Sequence, residues 1–106
     1  MNMQALEKVY QVIQQRAAQP EAGSYTNYLL GKGLDKILKK VGEEAAETII
    51  AAKNGQPQEL IGEVADLQYH LLVMMYNAGL TPADLEQELD KRFAKGGFHG
   101  RTDRQP

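Results

Sequence analysis

A chain of 106 residues, 42% hydrophobic and 25% charged, is sized for one folded domain and is too apolar to remain disordered. Its net charge of -2 argues against a general nucleic-acid binder, and the absence of cysteine excludes disulfides and thiolate metal sites. The N-terminal "MNMQALEKVYQVIQQR" lacks the apolar run of a signal peptide, and the longest apolar run, Leu71 to Tyr76, is far too short to span a bilayer. A soluble, cytoplasmic protein with no membrane partner is therefore expected.

Every periodic stretch is helical. Leu6, Val9, Tyr10 and Ile13 form one stripe, predicting a first helix that ends before Pro20. "QPEAGSYTNYLLGKG" reads as a loop with one short turn at Thr26 to Leu30. A second helix is expected from about Leu34 to Lys53, stopped by Asn54-Gly55. Pro57 opens a third, which runs to about Asn77 with Gly79 as its stop. "TPAD" starts a fourth, with Thr81 as N-cap and Pro82 at its first position, ending near Lys95. Residues 1–95 thus form one all-α domain, and 96–106 read as a mobile tail. The helix beginning at Pro57 is apolar over most of its circumference, from Leu60 and Ile61 to Met74 and Met75. Such a helix needs cover on every side, so a homodimer completing a four-helix-bundle-like core is expected.

The chemistry lies in the carboxylates. "KVGEEAAET" places Glu43, Glu44 and Glu47 within five positions of one helix, where like charges repel. Glu44 and Glu47 form E-x-x-E; Glu63 and Asp66 form E-x-x-D on the following helix. A tight turn at Gly55 makes the two helices an antiparallel hairpin. Glu44 and Asp66 each lie 11 residues from that glycine, and Glu47 and Glu63 each lie 8 away. The pairs therefore sit at matched heights, about 12 to 17 Å from the turn at about 1.5 Å per residue. Glutamates are common on wet helix faces, but Glu63 and Asp66 interrupt an apolar helix that scarcely has one. Buried like charges need compensation, and without cysteine a hard divalent cation with oxygen ligands is the natural one. Mg2+ is expected, with Mn2+ able to substitute. His70 shares the stripe of Glu63 and Asp66 and is expected to hydrogen-bond a carboxylate rather than ligate. Lys36 and Lys40 lie two turns and one turn before Glu44. Lysines early in a helix oppose its dipole, and Lys-before-Glu is the weaker pairing order, so a polyphosphate explains them better than helix stability does.

E-E-x-x-E, fifteen residues, then E-x-x-D resembles the all-α nucleoside triphosphate pyrophosphohydrolases, the MazG-like group. "SYTNYLL", "KGLDKILKKVGEEAAETIIAAKN" and "ELIGEVADLQYHLLVMM" narrow the resemblance to the phosphoribosyl-ATP pyrophosphohydrolase family, over most of Ser24 to Phe93. That resemblance implies Mg2+-dependent hydrolysis of phosphoribosyl-ATP to phosphoribosyl-AMP and pyrophosphate, the second step of histidine biosynthesis, in a homodimer. It implies Glu44, Glu47, Glu63 and Asp66 as metal ligands, with Glu43 a further ligand or base. It also implies Lys36 and Lys40 as phosphate contacts, and Ser24, Tyr25 and Thr26 facing the substrate. The glycine- and arginine-rich "AKGGFHGRTDRQP" departs from the family pattern. Two rival readings are a house-cleaning pyrophosphohydrolase acting on other nucleotides and a non-enzymatic helical dimerisation module.

Overall fold

The computed structural model describes residues 4–96, so all of the expected tail but Gly96 lies outside the described residues. Among them the fold is entirely helical: α1 (Gln4–Ala18), α2 (Tyr25–Lys32), α3 (Leu34–Asn54), α4 (Pro57–Asn77) and α5 (Pro82–Ala94).

Local chemistry explains most of these bounds. Gly55 takes the left-handed conformation (φ 67°) that an L side chain resists, and its amide bonds back to the Ala52 carbonyl, ending α3. Pro57 then starts α4, where a missing N–H is harmless. Thr81 and Asp84 form a reciprocal capping box that opens α5.

One expectation needs correction. The segment before α3 is not a loop with a single turn but the eight-residue helix α2. Ser24 caps it by accepting the Asn27 amide at 3.1 Å, Leu29 is fully buried, and Gly33 (φ 92°) separates it from α3. Asn27 anchors it further, donating to the Arg16 carbonyl at 2.8 Å and accepting from the Glu21 amide at 2.9 Å.

The hairpin of α3 and α4 is the principal packing unit, with α1 laid along α4 and α2 closing the open end. The core is small: Tyr10, Ile13, Leu29, Ile37, Leu72 and Val73. Tyr10 also donates to the Leu80 carbonyl at 2.7 Å, tying α1 to the α4–α5 link. Beyond the reach of α1, the half of the hairpin nearest its turn carries bare isoleucines at 49, 50 and 61.

Candidate metal and phosphate site

The hairpin brings Glu44 of α3 against Glu63 and Asp66 of α4, and one carboxylate oxygen from each lies within 4.8 Å of the others. Glu44 is buried, only 7% exposed, whereas Asp66 is open to solvent. Glu44 Oε2 and Glu63 Oε2 are buried without any hydrogen-bond partner. Buried carboxylate oxygens left unpaired are costly, and three converging carboxylates repel one another. Burial pushes the Glu44 carboxyl above its ordinary range, and the adjacent Glu47 raises it further, against the lowering pull of His70 and Lys40. Glu63 is raised for the same reasons: loss of solvent first, then Glu47, Asp66 and Glu44. The donor set is oxygen only, with two orphaned oxygens turned inward, and so fits a hard divalent cation.

The remaining candidates fall in distinct places. Glu47 is exposed and flanks both Glu44 and Glu63, outside the tightest trio. Lys40 sits between Glu43 Oε1 at 3.3 Å and Glu44 Oε1 at 3.6 Å, so it is ion-paired to both. The hydrogen bond to Glu43 raises the Lys40 ammonium above its ordinary value. Lys36 lies away from the carboxylates, 5.8 Å from the centre of the Tyr28 ring. Ser24 serves as the cap of α2, and Thr26 is buried, its hydroxyl bonded to that of Tyr69. Tyr25 alone of that segment reaches the acidic end while keeping nearly half its surface exposed.

His70 is buried, but it does not bond a carboxylate as expected. Its Nδ1 lies 2.7 Å from the Asp66 main-chain carbonyl, which only accepts, so that nitrogen carries the proton. In the neutral ring Nε2 is then the acceptor, and Tyr25 donates to it at 2.9 Å. This chain of bonds ties α2 to the turn of α4 that carries Asp66. Thr48, which the sequence reading passed over, pins the other side. Its hydroxyl faces the Glu44 carbonyl at 2.8 Å and the Glu63 carbonyl at 3.3 Å, linking the two acidic turns across the hairpin. The available signal was its position, one turn after Glu44 on the inward stripe.

Fold and site together define an all-α protein whose helical hairpin presents carboxylates from both arms to one point. The family model for phosphoribosyl-ATP pyrophosphohydrolase matches residues 6–93. A phosphoribosyl-ATP pyrophosphatase of Limosilactobacillus fermentum is 58% identical over 90 residues, covering 85% of each chain. Another, from Listeria monocytogenes, is 57% identical over 90 residues, 85% of this chain and 86% of that one. The histidine biosynthesis bifunctional protein HisIE of Thermoanaerobacter pseudethanolicus is 55% identical over 87 residues, 82% of this chain but 40% of its own length. The chain belongs to the phosphoribosyl-ATP pyrophosphohydrolase family.

Proposed function

We propose that this protein hydrolyses phosphoribosyl-ATP to phosphoribosyl-AMP and pyrophosphate in histidine biosynthesis, as the names of its relatives indicate for them. The observation that carries the chemistry is the pair of orphaned buried oxygens on Glu44 and Glu63, two members of a three-carboxylate cluster.

Glu44, Glu63 and Asp66 would hold Mg2+ in this reading, with Glu47 as a further ligand; Mn2+ would substitute. Bound there, the cation draws charge from the phosphate oxygens and acidifies water. Glu47, where not fully engaged in ligation, is the best placed proton acceptor, being solvent-exposed and beside both Glu44 and Glu63. Glu43 stays with Lys40, holding that ammonium one turn from Glu44, where it meets charge on the departing pyrophosphate. Lys36, one turn before Lys40 on α3 and further from the carboxylates, is a phosphate contact away from the reacting anhydride, and Tyr25 presents its open edge to the substrate. Ser24 and Thr26 contribute through α2, the first by capping it and the second by fixing it to Tyr69.

The proposal includes a homodimer whose paired hairpins form a four-helix-bundle-like core, a single domain over 1–95, and a cytoplasmic location. No described helix is long and apolar enough to cross a membrane. The test is direct: purified protein with Mg2+ should release pyrophosphate from phosphoribosyl-ATP, and chelation should stop it. No release from phosphoribosyl-ATP, with release from an ordinary nucleoside triphosphate, would assign the house-cleaning activity instead.

A further inference from the structure

Lys32 closes α2 and Lys36 lies in the first turn of α3, with Gly33 turning the chain between them. Both ammonium groups sit 5.8 Å from the centre of one ring, that of Tyr28, which is 45% exposed. Neither lysine forms an ion pair among the described residues. Two like charges gathered on one half-open ring repel, and the dipole of α3 disfavours a cation at the position of Lys36. Lys40, one turn further, is already engaged by Glu43 and Glu44. Two lysines without an ion pair among the described residues therefore gather at the α2–α3 junction. Glu44 is eight residues beyond Lys36, about 12 Å along the helix at about 1.5 Å per residue.

An aromatic ledge joins the two ends. Tyr28 stacks on Tyr25, with ring centres 6.0 Å apart and planes 22° apart, and Tyr25 reaches His70 beside Asp66. We propose that Tyr28, Lys32 and Lys36 form an anion subsite for a phosphate monoester at the end of the substrate remote from its triphosphate. The inference rests on the phosphoribosyl-ATP reading, because that molecule carries a triphosphate on one ribose, a phosphate monoester on the other, and a purine between. The anhydride goes to the carboxylate end, which needs a cation to accept it. The monoester goes to the lysine end, which needs none. No bond is broken there; the subsite positions the substrate and selects it over nucleotides that lack the second phosphate.

The test uses ribose 5-phosphate, with ribose as control, titrated into metal-free protein while the tyrosine ring resonances are followed. The phosphorylated sugar should shift Tyr28 and the plain sugar should not. Lys32→Gln should weaken that binding roughly 10-fold, the scale of one charge-assisted hydrogen bond. In steady-state assays with Mg2+, Lys32→Gln should raise KM roughly 10-fold with a far smaller fall in kcat, because a contact remote from the reacting bond contributes equally to ground and transition states. Unchanged Tyr28 resonances overturn the proposal, as does a fall in kcat equal to the fall in kcat/KM, which would place Lys32 on the reacting phosphates. Lys32 is exposed, so its amide spectrum should confirm an intact fold. If the unaltered protein released no pyrophosphate from phosphoribosyl-ATP, the proposed activity would fail while the ribose 5-phosphate titration still decided the subsite.

Discussion

Glu63 shows how residue-level cost and function coincide. One of its oxygens is buried and unpaired, and burial together with Glu47, Asp66 and Glu44 raises its carboxyl. A group raised in the folded state stabilises the fold below its unfolded value and loses that contribution as pH climbs through the folded value. Metal-free protein should therefore lose thermal stability from the ordinary carboxylate range upward, and added Mg2+ should restore more of it at higher pH, where the carboxylates are ionised. Glu63→Gln should melt at a higher temperature than the parent at neutral pH without metal, yet lose pyrophosphate release. That loss should be at least about 100-fold, the upper end of what removing a residue that merely supports a ligand does. A variant that melted lower or kept its activity would contradict this assignment. The sequence made the acidic cluster legible because residue counts from Gly55 fix heights on a hairpin. It left the rotation about each helix open, and that is why Glu47 stands outside the trio that Glu44, Glu63 and Asp66 form. The partner of His70 was likewise beyond reach, since choosing a main-chain carbonyl over a carboxylate depends on where α2 places Tyr25.

Helix boundaries between α3 and α5 were written in side-chain chemistry, which is why Gly55, Pro57 and the Thr81–Asp84 box mark them in sequence and structure alike. The helix α2 was hidden for a physical reason: eight residues are too few to show a period, and its Pro, Gly, Ser and Asn surroundings are turn formers. What makes it a helix is tertiary, the burial of Leu29 and the hold of Asn27 on Arg16. At this scale the hairpin is the working part, and two substitutions separate its turn from its cross-link. Gly55→Ala puts a side chain into a left-handed turn and should destabilise by about 1 kcal/mol, read in a denaturant melt, with little effect on the Mg2+ requirement. Thr48→Val removes the hydroxyl that faces the Glu44 and Glu63 carbonyls while keeping the volume, and should also cost about 1 kcal/mol. Unlike the turn variant, it should raise the Mg2+ concentration needed for half-maximal activity, because the two acidic turns lose their cross-link. Equal Mg2+ dependence in both would confine Thr48 to stability.

At the scale of the whole molecule the chain is elongated, 48 × 33 × 25 Å, with a radius of gyration of 15.7 Å against about 13 Å for a compact chain of this length. The turn end of the hairpin carries exposed aliphatic side chains. There Ile49 is 65% exposed, Ile50 58% and Ile61 59%. Large aliphatic side chains on both arms of one hairpin leave an apolar surface that water disfavours, at about 25 cal/mol per Å². A second copy is the partner we propose for it, since two such hairpins laid together make the four-helix core that the apolar breadth of α4 requires. Light scattering should then give about twice the 11.8 kDa mass of the chain. Ile61→Lys should shift that value toward one chain and lower the melting temperature, making it depend on protein concentration in the micromolar range or above. Ile61 is two residues from Glu63, so loss of the neighbouring copy should also loosen the acidic turn and weaken Mg2+ binding. A single-chain mass for the unaltered protein, or an Ile61→Lys variant that keeps the doubled mass, would rule this surface out as the contact between copies.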